Sequence, residues 1–302
     1  MGRGNRAGWR RTASRPWVTR VSTGLLLTLP GAGAAQQDAP VPDTALVYRQ
    51  IGGRGLKAHV FFPPAHSRGE PAPGILLFHG GGWSAGSPEW TFTAARRFAD
   101  SGLVAIAVEY RLSAGGVTPI EALDDACAAF RWARDEADGL GLSNRLAGYG
   151  VSAGGHLVAA TVTIGCAGNP PARRIGPDAL LLWSPALDLA HDRWFAGLLQ
   201  GRATAEALSP ARHVGADTPP TAVVHGERDT LTPIAGVRRY CDALGELGRP
   251  CKIHAYPGLG HLLTRNLANQ ESDFDPDPAA VADGIAQLHR FLHSQGLTGG
   301  QP

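Results

Sequence analysis

The run Gly150-Val151-Ser152-Ala153-Gly154-Gly155 surrounds one hydroxyl with small residues. A serine that attacks a carbonyl must stand on a sharp, strained turn that pushes its Oγ clear of the sheet. Small residues two before and two after let the backbone fold there without side-chain collision. A glycine-rich loop that caps a helix with serine has the same composition, so the flanking elements decide its meaning. Upstream, His79-Gly80-Gly81-Gly82-Trp83 supplies a second glycine loop. Attack on a carbonyl creates a negative oxygen, which needs backbone N–H groups aimed at it. Glycines let the chain come close and take the required dihedrals. Gly81, Gly82 and Ala153 are the expected donors, with His79 holding the loop. The remaining parts of such chemistry are a base and an acid that orients it. His261 in Gly258-Leu259-Gly260-His261 is the candidate base, and Glu227 and Asp229 in His225-Gly226-Glu227-Arg228-Asp229 are both candidate acids.

These residues need strands to carry them. Short apolar runs at 74–78, 103–110, 146–150, 179–183, 222–225 and 252–256 read as buried strands. Runs without alternation suit a sheet covered on both faces. Helical spacing is expected at 91–101, 119–138, 154–164, 233–247 and 279–294, and two further strands at 45–51 and 56–62 flank a glycine turn. Strands alternating with helices predict an α/β fold with a mostly parallel sheet and helices on both faces. Ser152 then lies between a strand and a helix, and both His261 and the acid pair lie in loops just after strands. An open α/β sheet places its ligands at those strand ends.

With the two glycine motifs in this order, and with Tyr110-Arg111-Leu112-Ser113, Asp124-Asp125 and Gly150 to His156, the chain resembles the α/β-hydrolases of the hormone-sensitive-lipase-like type. Its HGGGW loop is most similar to the bacterial acetyl-esterase and carboxylesterase group. The resemblance spans Ala45 to Leu292 and implies an α/β-hydrolase fold with a minimal cap. It also implies the chain order serine, aspartate, histidine, which favours Asp229 over Glu227. The expected activity is hydrolysis of short-acyl esters through an acyl-enzyme, acetylated sugars or polysaccharides being one substrate class. An arylformamidase-like or peptidase-like amide hydrolase uses the same triad. A catalytically inactive binding module would lack a triad member, and none is missing. Trp83, Trp194 and Phe195 are expected to contact substrate, the last two from the long segment 186–214, read as either a partial lid or a surface helix. No cofactor and no metal site is expected.

Composition excludes other classes. The 302 residues carry a formal charge of +2, but residues 1–35 hold six Arg and no acid. The rest has 22 basic and 26 acidic side chains, which gives no polyanion-binding signature, so no nucleic-acid partner is expected. A basic stretch to Arg20, an apolar run from Val21 to Pro30 and small residues at 32–35 form an export-signal pattern. The apolar run is too short for an ordinary membrane span, so no membrane anchor is expected. The expected organisation is a signal peptide over 1–35, a flexible leader over 36–44, the catalytic domain over 45–294 and a flexible tail over 295–302. Export permits disulfides among Cys127, Cys166, Cys241 and Cys251. Cys241 late in a helix and Cys251 opening the next strand are expected to pair, because the chain between them can reverse. Pairing of Cys127 with Cys166 is left open.

Overall fold

A computed structural model describes residues 39–64, 66, 70–166 and 175–298. The expected signal peptide lies outside these residues. Eight strands form one sheet in the order β1-β2-β4-β3-β5-β6-β7-β8. β1 (Thr44–Ile51) and β2 (Arg54–Phe61) are antiparallel, and β2 is also antiparallel to β4 (Val104–Val108). β3 (Ala72–Phe78), β5 (Leu142–Val151), β6 (Ala179–Trp183), β7 (Thr221–Gly226) and β8 (Cys251–Tyr256) continue the sheet in parallel from β4.

The apolar runs are explained by two cores. On β3, Ile75 and Leu77 enter one core while Leu76 and Phe78 enter the other. Side chains alternate across a strand, so burial on both faces demands an unbroken apolar run. The first core takes α2 (Pro119–Asp135), α4 (Ala153–Thr163) and α6 (Ile234–Glu246). The second takes α1 (Phe92–Asp100) and α7 (Pro278–Ser294). α2 begins with a capping box in which Thr118 and Glu121 bond each other's backbone. It stops at Asp135, earlier than the apolar pattern suggests, and a separate turn, α3 (Ala137–Leu140), ends at Gly141 with φ 61°. β5 starts at Leu142, earlier than expected, because the polar residues at 143–145, two of them exposed, hide it from an apolar pattern.

Both ends of the catalytic domain extend further than the sequence suggests. The leader is not free over its last residues: Asp43 accepts from the Phe62 amide at 2.7 Å and pairs with Arg96. The expected tail contributes Leu297, which is wholly buried. Among the described residues no helix is long and apolar enough to cross a membrane.

Cys241 and Cys251 are bonded, with Cα atoms 5.3 Å apart, tying α6 to β8. Cys127 and Cys166 are also bonded, at 5.8 Å, across 39 residues. On a chain-entropy argument the bridges are worth about 3 and about 4 kcal/mol. The first anchors the strand that leads to His261.

Candidate active site

β5 delivers the chain to Ser152 and α4 leaves from Ala153. Ser152 sits at φ 52°, ψ −115°, a region that costs a non-glycine residue about 1–3 kcal/mol. The surroundings hold it there. Its amide donates to the Trp183 carbonyl at 2.9 Å. A Cβ on Gly150 would lie 2.4 Å from the Gly154 carbonyl oxygen, and one on Gly154 would lie 2.2 Å from that of Phe78. Those two positions therefore require glycine, as the motif demands. Strain concentrates here: Trp83, Ser152, Ser184, Leu262 and Leu263 all have positive φ.

The Ser152 Oγ lies 3.1 Å from His261 Nε2, and His261 Nδ1 lies 2.7 Å from Asp229 Oδ2. Asp229 stands in the tight turn after β7. Its Oδ1 accepts from the amides of Leu231 and Thr232 at 2.9 and 2.8 Å, and its Oδ2 from the Thr232 hydroxyl at 2.8 Å. Burial raises its pKa, but the hydrogen bond and charge of His261, with these donors, outweigh burial and hold it below the usual carboxylate value. An ionised Asp229 accepts from Nδ1–H, which leaves Nε2 bare toward Ser152. Glu227 points elsewhere, to Arg238 at 3.4 Å.

The glycine loop lies over the serine. Gly81 and Gly82 take φ 109° and 57°, and a Cβ on Gly80 would come 3.3 Å from the Ser152 Cβ. Among the described residues, nothing accepts from the amides of Gly81, Gly82 or Ala153. These N–H groups are open to an incoming oxygen, next to the N-terminus of α4, whose dipole favours negative charge. His79 supports the loop: its ring stacks on Tyr110 at 4.3 Å, and the Tyr110 hydroxyl donates to the His79 carbonyl at 2.9 Å.

A family model with the alpha/beta hydrolase fold matches residues 75–195. Esterase LipI of Mycobacterium tuberculosis is 29% identical over 234 residues, which cover 68% of this chain and 70% of that protein. An ethyl acetate hydrolase of Pseudomonas putida is 36% identical over 128 residues, 42% of this chain and 39% of its own. Esterase 2 of Thermogutta terrifontis, solved with propionate bound, superposes with a TM-score of 0.74 at 28% identity, covering 86% of this chain and 96% of that one. The chain has the α/β-hydrolase fold and is similar to esterases of that fold. It is a serine ester hydrolase.

The residues expected to contact substrate in this hydrolase divide. Trp83 is 4% exposed and Phe195, on α5 (Arg193–Leu198), is wholly buried. Their rings pack 4.6 Å apart. Trp83 Nε1 donates to His156 Nδ1 at 3.1 Å, and His156 Nε2 donates to the Leu208 carbonyl at 2.8 Å. Burial pushes the His156 pKa down to about 4, so this bridge is neutral. Trp83 and Phe195 thus brace the glycine loop from behind and do not face a substrate. The segment 186–214 packs on the core through Phe195 while presenting Trp194, half exposed. The Trp194 Nε1 lies 3.5 Å from where a Cβ on Gly82 would stand, beside the open amides. Phe274, 40% exposed, has its ring 6.4 Å from that of His261.

Two supporting residues have no motif in the sequence. Thr232 ties Asp229 to the Ser184 carbonyl at 3.1 Å. Gln270 is 4% exposed and joins the acid loop to the base loop. Its Oε1 accepts from the amides of His261 and Thr230 at 2.8 and 3.2 Å, and its Nε2 donates to the Arg228 carbonyl at 2.9 Å. His225 lies beneath them, donating from Nε2 to the Thr232 carbonyl at 2.8 Å, and burial lowers its pKa to about 4. Gln270→Ala should lower kcat by about ten- to a hundredfold with KM nearly unchanged, because a base misplaced by about 1 Å loses alignment. A fall in Tm alone, with kcat preserved, would show Gln270 to be merely structural.

Proposed function

We propose that this hydrolase cleaves short-acyl carboxylic esters of the acetyl type through an acyl-enzyme on Ser152. The observation that carries the reading is the continuous line Ser152 Oγ–His261 Nε2, His261 Nδ1–Asp229 Oδ2, at 3.1 and 2.7 Å, beneath three uncommitted amides. His261 takes the Ser152 proton as Oγ attacks the ester carbonyl, and the tetrahedral oxyanion meets the amides of Gly81, Gly82 and Ala153. His261 then gives that proton to the departing alcohol, and a water activated by the same base releases the acid. Trp194 and Phe274 are the walls against which the substrate lies.

The printed names of relatives support a short acyl group: ethyl acetate hydrolase, and propionate- and butyrate-bound esterase 2. kcat/KM on p-nitrophenyl esters should fall by about tenfold or more from acetyl to decanoyl. A steady climb with chain length would overturn the short-acyl assignment. Acetylated sugars belong beside ethyl acetate in the same panel, which tests the alcohol side. Export is part of the proposal, supported by the signal pattern and by two disulfides, which persist in oxidising compartments. N-terminal sequencing of the exported protein should start near Gln36.

A further inference from the structure

α1 and α7 cover the same face of the sheet but leave a groove of about 200 Å³ between them. Its floor is Tyr149 of β5 and Trp183 of β6, and its walls are Phe98 of α1 and Ile285 of α7. His289 stacks on Phe98 at 5.1 Å and is already engaged with the Ser101 hydroxyl at 3.2 Å. Among the polar groups that line the groove, two suit an anionic oxygen pair and have no side-chain hydrogen bond among the described residues, Tyr149 and Arg97. Tyr149 is 8% exposed, its ring packs edge-on against Phe98 at 5.5 Å, and among the described residues its hydroxyl has no hydrogen-bond partner. Arg97, on the exposed side of α1, has no carboxylate partner among the described residues. A largely apolar trough that offers a phenol donor and a guanidinium fits an apolar body that ends in an anionic oxygen pair.

We propose that this groove binds a small apolar carboxylate. The Tyr149 hydroxyl and the Arg97 guanidinium take its oxygens, and its hydrocarbon lies on Phe98, Trp183 and Ile285. The volume equals that of roughly six or seven waters, which sets the ligand at about four to six carbons. Phosphate or sulfate, with no hydrocarbon to bury and a single cation to meet, suits these walls poorly. The site is separate from Ser152 yet joined to it, because Trp183 forms the floor with its side chain and holds the Ser152 amide with its carbonyl at 2.9 Å. The proposal does not depend on which ester the enzyme cleaves.

Calorimetric titration of the full chain with hexanoate and with hexanamide, before and after a fluorophosphonate occupies Ser152, tests it. Hexanoate should saturate one site in both states, and hexanamide should bind about tenfold more weakly. Tyr149→Phe and Arg97→Gln should each weaken hexanoate by about three- to tenfold, the worth of one hydrogen bond or exposed charge contact. Arg97 is exposed, so its variant folds even if the core variant does not. Loss of hexanoate binding once Ser152 is blocked would place the ligand at the active site and overturn the proposal. Equal binding of acid and amide, or wild-type affinity in Arg97→Gln, would also overturn it.

Discussion

Ser152→Ala should yield a folded protein whose ester turnover is reduced by about 10⁴-fold or more. The fold should survive because the Ser152 hydroxyl serves the site and not the core. The contact it makes is with His261 Nε2, while the turn itself is held by backbone: the Ser152 amide on Trp183 and the crowded glycines at 150 and 154. Alanine meets the same positive φ as serine, so the strain of the turn is unchanged. What disappears is the atom that forms the covalent bond. Residual activity comes from the three amides and from substrate placement, which act on a water attack as well. The measurement is kcat/KM on p-nitrophenyl acetate, together with mass spectrometry after a fluorophosphonate. Wild-type turnover in the variant, or an adduct elsewhere than residue 152, would end the acyl-enzyme reading.

Asp229→Asn should cost about 10⁴ in kcat, nearly as much as losing the nucleophile, although the substitution is isosteric. The turn dictates which way the new amide faces. Oδ1 accepts two backbone amides, those of Leu231 and Thr232, so the asparagine oxygen must stay there. Its NH₂ then occupies the Oδ2 position, 2.7 Å from His261 Nδ1. An N–H donor at that point forces Nδ1 to accept and drives the ring proton to Nε2, which faces Ser152. The base is then protonated on the nitrogen that must be bare. Glu227→Gln is the control: Glu227 pairs with Arg238 at the surface, and its loss should change kcat by less than about twofold. A strong effect of Glu227→Gln with a mild one for Asp229→Asn would transfer the acid role to Glu227.

The comparison of these two acids shows where the sequence was readable. The serine turn is a local constraint: glycine at 150 and 154 is required by atoms within a few residues or on the adjacent strand, and that demand is visible as a motif. The parallel sheet is equally legible, because a strand covered on both faces has to be apolar throughout, as at 75–78 and 179–183. Placing the acid and base at strand ends followed from that order of elements, and family resemblance chose Asp229.

The rest depended on which elements become neighbours. Gln270 has no periodicity or motif to announce it; its meaning lies in bonds to residues 228, 230 and 261, which converge only after β7 and β8 pair. Cys127 and Cys166 are 39 residues apart, and their bond requires α2 and α4 to share one face of the sheet. Cys241 and Cys251, joined by a short reversal, were within reach of the chain alone. Trp83 and Phe195 show most clearly what composition leaves open. An aromatic side chain beside a glycine loop can face substrate or core with equal chemical sense. Packing chose the core for both, through His156, and left Trp194 and Phe274 at the surface. Local chain geometry is encoded locally and is read directly. The direction a large side chain faces is settled by competition for buried volume among segments distant in sequence, and that competition is resolved only in the folded molecule.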